Sequence, residues 1–385
     1  MIYNNFLYDK NKFNQLSGFY KKNKIQNAYI FHGDEGIGKE AYAIEFFALI
    51  NCIKKLDDES ACRTCSSCIK ILSFQHELLN ITLPFPRSKN ITKKDSALKA
   101  LNDKDINSLT QQFRIKASNP YYKIRLENAN TILINSIKDI NRSINLSIPK
   151  GTYRLHLILN AEKLCFPNQE SANALLKILE EPTENNFFIL ITSDLSKILD
   201  TIISRCTKLY FEPINLDKQY NYLLQTGIKK ENAKVISCLS NGSISYALEL
   251  SKNFEKKMES INKIFTSLMY KDLYNWKTKL CSSRDKKLTI DYLNFLILFI
   301  RDIYIYQNRL DQTINFSNLK KLVTEFSEKY TVNFEDCVSS IDHAINNIYS
   351  NGYIPIIITA LYIELHKTLN MKSLMEKSIT MDEYN

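Results

Sequence analysis

Three of the eight glycines in this 385-residue chain fall within six residues, in Gly33-Asp34-Glu35-Gly36-Ile37-Gly38-Lys39-Glu40. The spacing is that of a phosphate-binding loop, G-x-x-x-x-G-K-[ST], with the last position changed. Successive backbone N–H groups and the N-terminus of a following helix cradle phosphates in such a loop, and Lys39 adds a positive charge. The hydroxyl that normally holds magnesium is absent. Glu40 puts a carboxylate there, close to where nucleotide phosphates would sit. The loop therefore reads as kept in structure and impaired as a catalyst. A glycine-rich turn without a ligand is the plainer alternative.

Four of the nine cysteines cluster as Cys52, Cys62, Cys65 and Cys68, the last three spaced C-x2-C-x2-C. Four thiolates suit a closed tetrahedral zinc site, structural because no coordination position stays open. The polar stretch 54–60 lets the chain turn back between Cys52 and the rest. Disulfides are the weaker reading in a reducing compartment. An iron–sulfur cluster lacks a proline after the last cysteine. The other five cysteines are scattered and read as small core residues.

Hydrolysis also needs an acidic pair at the end of a buried strand, one carboxylate for magnesium and one for water. The candidate strand 153–160 ends Leu159-Asn160-Ala161-Glu162, so no carboxylate stands at the expected positions and Glu162 lies two residues late. Residues 28–31 form an apolar run before the glycines, and 41–50 read as the helix after them. A helix over 171–181 closed by Pro182, a strand over 187–192, and a strand over 208–211 complete an alternation of strands and helices. That pattern predicts a parallel α/β sheet.

The bulk numbers set wide bounds. The length allows two or three domains. The hydrophobic content of 44% supports real cores. No apolar stretch reaches the 18 residues of a membrane span, and the N-terminus lacks the pattern of a signal peptide. A cytoplasmic location without membrane partners is expected. The net charge of +10 hints at an acidic partner such as nucleic acid, but a chain rich in Lys, Asn and Ile is also what an AT-rich genome encodes.

The combination of GDEGIGKE at 33–40, four cysteines, NAEKL at 160–164, SANALLKILEEP at 171–182, ITS at 191–193 and SRC at 204–206 resembles the AAA+ clamp-loader subunits of bacterial DNA polymerase III. The likeness is greatest to the delta-prime type, with the gamma/tau motor type next. It covers about 1–82 and 150–255. It implies a RecA-like AAA+ domain over 1–212 with an inserted zinc module at about 52–68. A helical lid over 213–255 and a helical collar over 256–385 would follow, giving an α/β plus all-α chain.

The resemblance implies a stationary platform, or stator, that helps load the sliding clamp onto primer-template DNA. It would sit in a hetero-pentameric ring with gamma/tau and delta-type subunits. Arg205 of the SRC tripeptide would reach a neighbour's ATP site as an arginine finger, and Thr192 stands where the family has a nucleotide sensor. The lid motif G-S-x-R-x-A-L of the motors has Ser245 in place of its arginine. Three departures, at Glu40, at 159–160 and at Ser245, argue against efficient hydrolysis. Gly33, Gly36, Gly38 and Lys39 leave weak binding of ATP and magnesium open. Two other classes compete: an active gamma/tau-type motor, and a zinc-dependent nucleic-acid-binding protein with a vestigial ATPase fold.

Residues 87–125 fit none of this and read as an apparent insertion. Helices are expected over 96–113 and 128–146, with a turn at 119–123. A solvated surface decoration is the expectation for this region, with Tyr121, Tyr122 and nearby lysines as a candidate DNA contact. Three short amphipathic segments, 216–225, 230–239 and 243–253, precede a region helical throughout, strongest over 290–306. The polar tail 376–385 is expected to fray.

Overall fold

A computed structural model describes residues 1–55, 60–181, 183–281, 285–310 and 314–371. Pro182, part of the 54–60 loop and the 376–385 tail lie outside the described residues. Two compact units emerge. One holds residues 1–218 with 242–246, and the other holds 219–241 with the residues from 247 onward.

The first unit is built on a parallel sheet. Helix α1 (Lys10–Lys21) leads to β1 (Ala28–His32), α2 (Lys39–Asn51), α3 (Ser66–Leu72) and β2 (Leu79–Thr82). Then come α4 (Asp103–Ser118), α5 (Ile134–Ile144), β3 (Arg154–Ile158), α6 (Glu170–Glu180), β4 (Asn186–Thr192), α7 (Asp200–Ile203) and β5 (Thr207–Tyr210). The strand order is β2-β3-β4-β1-β5, and every pairing is parallel. Every residue of β3 and β4 is buried. Such continuous burial explains their unbroken apolar runs, because helices cover both faces of a parallel sheet. Ile137, Ile140 and Ile144 of α5 and Leu175 of α6 pack beside Ile158 and Leu190 of the sheet.

Helix α2 is buried along its whole length except at Glu40. Its Glu45 accepts hydrogen bonds from the N–H groups of Ile2 (2.6 Å) and Tyr3 (2.8 Å), which pins the start of the chain to it. The phosphate loop leaves β1 at its carboxyl end, where open α/β sheets bind ligands.

Several sequence expectations shift in register. The helix expected over 96–113 is a short 3-10 turn (Ala97–Ala100) and then α4, which starts afresh at a capping box made by Asn102 and Asp105. The helix expected over 128–146 begins only at Ile134. Asn128 has a positive φ, and Thr131 bridges to Phe85, so the chain is extended there. Helix α1 and strand β2 carried no sequence signal strong enough to be expected.

The second unit is mainly helical. Helix α8 (Leu216–Gln225) leads into it, and α9 (Lys230–Ser240) follows. After α10 (Ile244–Ser251) come α11 (Phe254–Met269), α12 (Leu273–Leu280), α13 (Lys286–Gln307) and α14 (Lys320–Lys329). Helices α15 (Phe334–Tyr349) and α16 (Ile354–Thr368) complete it. Trp276 is fully buried, and its indole N–H donates to the Ile358 carbonyl at 3.0 Å. The region is not helical throughout. Strands β6 (Tyr330–Val332) and β7 (Leu369–Met371) pair antiparallel. Among the described residues, no helix is long and apolar enough to cross a membrane.

Candidate functional site: phosphate loop, arginine corner and cysteine cluster

The glycines and Lys39 adopt a loop-to-helix turn between β1 and α2. Gly38 precedes the helix with φ +99°, and a Cβ there would lie 2.8 Å from the Phe6 ring and 3.2 Å from the Tyr121 ring. Backbone conformation and space both require glycine at this position. The side chain of Lys39 is folded back on its own loop, where Nζ donates to the carbonyls of Gly33 and Asp34. Lys39 is 6% exposed. Burial, followed by the nearby charge of Lys123, lowers its pKa to about 8.

Glu40 turns to Lys116 of α4, and the two form an ion pair in which Lys116 is 3% exposed. The Lys116 ammonium also donates to the carbonyls of Pro120 (3.1 Å) and Tyr122 (2.6 Å). Glu35 pairs with Lys123 and Arg125. Burial pushes the Glu35 carboxyl up, but the two cations outweigh it and hold it below the usual range. Tyr121 is 3% exposed, and its hydroxyl accepts from the Leu7 N–H at 2.8 Å. The turn at 119–123 is thus packed over the loop, against the expectation of a solvated decoration.

The remaining space is about 40 Å³, lined by loop residues with Lys116, Tyr121, Asn160, Thr192, Ser193 and Ser245. Sites for drug-sized ligands span roughly 300–1,000 Å³. Ser245 donates its backbone N–H to the Gly36 carbonyl at 3.2 Å. The Thr192 hydroxyl donates to Glu162 at 2.8 Å, so the late carboxylate does come to the tips of β3 and β4. Thr192 lines the same cavity as Gly36, Gly38, Lys39 and Glu40.

Arg205 lies apart from this cavity, just after α7. Nη2 sits 2.8 Å from a Glu180 carboxylate oxygen, and Nη1 donates to the Thr201 carbonyl at 2.9 Å. The side chains of Arg205 and Glu180 are 38% and 44% exposed.

Cys52 caps the end of α2, and Cys65 caps the start of α3. The Sγ atoms of Cys52, Cys62, Cys65 and Cys68 all lie within 4.8 Å of one another, and all four residues are buried. A tetrahedron of sulfurs about 2.3 Å from zinc has edges of about 3.8 Å, and Cys62 and Cys68 stand 4.0 Å apart. N–H groups of Cys62 and Cys65 point at the sulfurs of Cys52 and Cys62, each at 3.3 Å. Burial raises the Cys52 and Cys68 thiols, at Cys62 and Cys65 burial is outweighed by hydrogen bonds that lower the thiols, and the four-sulfur set fits a metal ion such as zinc.

Sequence reading did not place Lys116, Tyr121, Lys123 or Arg125 at the phosphate loop; Tyr121 stood only as a candidate DNA contact. Glu40 and Lys116 are 76 positions apart, and Glu35 and Arg125 are 90 apart. No local pattern links them.

The family model described as DNA polymerase III, delta subunit matches residues 8–215, more than half of the chain. The DNA polymerase III subunit delta' of Bacillus subtilis is 23% identical over 372 residues, covering 94% of this chain and 92% of that protein. Subunit delta' of Buchnera aphidicola subsp. Schizaphis graminum is 32% identical over 205 residues, 51% of this chain and 59% of that protein. Subunit gamma of Buchnera aphidicola subsp. Baizongia pistaciae is 24% identical over 337 residues, covering 79% and 77%.

Proposed function

The chain belongs to the DNA polymerase III delta-subunit family and is of the delta-prime type, and from that premise we propose that it is the stator of a clamp loader. In this reading it helps a ring of gamma/tau and delta-type subunits load the sliding clamp onto primed DNA. It does not turn over ATP efficiently itself. Its Arg205 completes the ATP site of a neighbouring motor subunit.

One contrast carries the reading. The chain's own phosphate loop is packed shut and lacks the magnesium hydroxyl, while Arg205 is exposed and held by a solvated ion pair. Exposed pairs of this kind contribute only about 0–1 kcal/mol. Arg205 is therefore free to exchange Glu180 for a phosphoryl group at little cost. A guanidinium against a transferring phosphoryl stabilises its developing charge and is worth ~10³–10⁵ in rate in NTPases. Cys52, Cys62, Cys65 and Cys68 hold a structural zinc ion that joins the end of α2 to α3. The C-terminal helices serve as the collar through which subunits associate.

The test is steady-state ATP hydrolysis by gamma/tau-type motor subunits with clamp and primed DNA, adding this chain as wild type or as Arg205→Ala. The wild type stimulates hydrolysis, the variant does not, and the chain alone is inert. Motor-like hydrolysis by the chain alone contradicts the stator reading. Equal stimulation by both forms removes the finger. Elemental analysis of protein purified without added metal gives one zinc per chain.

A further inference from the structure

The insertion 87–125 is the one long segment that the clamp-loader reading leaves without a role, and it supplies the side chains that close the phosphate loop. We propose that α4 and the turn after it are an intramolecular occupant of the phosphate loop, with the Lys116 ammonium held by Glu40 where nucleotide-binding loops hold magnesium by a hydroxyl. The inference concerns this chain alone and stands whether or not Arg205 reaches a neighbour.

The charge arithmetic is local. A magnesium-binding loop has a neutral hydroxyl and recruits a mobile cation with its nucleotide. Here position 40 is an anion, and the cation is tethered to the chain. A lysine ammonium has three donors and no acceptor. Those of Lys116 are matched by Glu40, the Pro120 carbonyl and the Tyr122 carbonyl. Lys116 is therefore a structural cation and not a phosphate ligand. Lys39 is turned onto Gly33 and Asp34, and Lys123 and Arg125 are matched by Glu35. The positive charges around the loop are thus largely satisfied within the chain.

Steric closure acts with the charges. The turn is stiffened by the Asn119 carbonyl oxygen of its side chain, which accepts from the Tyr121 N–H at 3.0 Å. The Tyr121 ring lies on Gly38 beside Phe6, and its hydroxyl is tied to the backbone of Leu7. The cover therefore has two sources, the insertion and the N-terminal segment pinned by Glu45. A triphosphate entering the loop must break the Lys116–Glu40 pair, displace Tyr121 and face an uncompensated Glu40. Glu40 is then one half of a matched pair, and its departure from the nucleotide-binding pattern is compensated 76 positions away. The loop keeps its shape without a nucleotide because the chain provides its own filling.

The test uses the full-length chain and two readouts. Denaturant unfolding of wild type, Glu40→Gln, Lys116→Met and the double variant forms a cycle. Each single substitution lowers the midpoint, and the double variant regains most of the loss, because removing both partners leaves no buried charge unpaired. Additive single losses overturn the pairing. The second readout is binding of mant-ATP with magnesium to wild type and to the double variant Glu40→Ser/Lys116→Met, each checked for folding by circular dichroism. Wild type shows no saturable binding, and the opened variant binds saturably, about tenfold or more tighter than the limit set by wild type. Saturable binding by wild type, or a folded opened variant that still excludes the nucleotide when Tyr121→Ala is added, overturns the occupant role. Hydrogen exchange on wild type needs no variant: amides of 36–40 and 116–123 open together, and independent opening of the two segments contradicts the proposal.

Discussion

The phosphate loop and the arginine corner belong to the same α/β unit, and their electrostatics are opposite. At the loop, Lys39, Glu40 and Lys116 are buried or nearly so and satisfy one another or nearby carbonyls. At the corner, Arg205 and Glu180 meet in solvent, more than a third exposed. A buried pair is costly to break from one side, because the surviving charge stays in a poor solvent. An exposed pair is cheap to break, because water takes over both charges. The same unit therefore carries one closely packed cluster of charges and one exposed ion pair. The difference lies in burial more than in residue type.

The largest expected effect concerns the cysteine cluster, which anchors the far end of the same helix that begins at Lys39. Structural zinc contributes apparent binding energies of ~10–16 kcal/mol in zinc-finger peptides. On the proposal that the cluster holds zinc, chelation or Cys68→Ser should raise hydrogen exchange in α3 and the end of α2. Residues 200–206 should be unchanged. Equal loosening of both regions would break the comparison.

Next in size is the buried pair. Glu40→Gln or Lys116→Met should each cost about 3–5 kcal/mol in denaturant unfolding, the range for removing one partner of a buried ion pair. The corresponding corner variants, Arg205→Ala and Glu180→Ala, should cost less than about 1 kcal/mol. A large loss at the corner would show that Arg205 is a structural residue.

Lys39 gives a pH dependence of similar scale. Its pKa is about 8 in the folded chain, against about 10.4 when unfolded. Below pH 8 both states hold the proton, so this group adds no slope. Between about pH 8 and 10.4 the unfolded chain still holds the proton and the folded chain has lost it. Stability from this group therefore rises with pH across that window, by about 3 kcal/mol. The difference between wild type and Lys39→Met isolates it from tyrosines and thiols that titrate nearby. Lys123→Ala removes the second cause of the depression and should move the Lys39 titration upward. A wild-type difference that is flat from pH 8 to 10 would contradict the packed loop.

Much of the first unit was legible because its signals are local. The glycine spacing placed the loop, the apolar runs placed β1, β3 and β4, and the cysteine spacing placed a cluster that the fold closes to within 4.8 Å. Elements without a strong local pattern were missed: β2, only four residues and half-buried at its centre, and α1, where Phe13, Leu16 and Ser17 are buried. The C-terminal β6–β7 pair was read as helix, because each strand is three residues long and joins segments distant in sequence. The turn that ends the insertion was misjudged for the opposite reason. Tyr121, Lys123 and Arg125 look like solvated polar residues, and only contacts 83 to 114 positions away bury or pair them: Tyr121 with Leu7 and Gly38, Arg125 with Glu35. Composition cannot encode such pairings.

The most direct test of the proposal that this chain lends an arginine and takes no nucleotide is photolabelling of the assembled motor complex with 8-azido-ATP. The label should fall on the gamma/tau-type subunits and spare residues 33–40 of this chain. Label on that loop in the wild-type assembly would contradict the account.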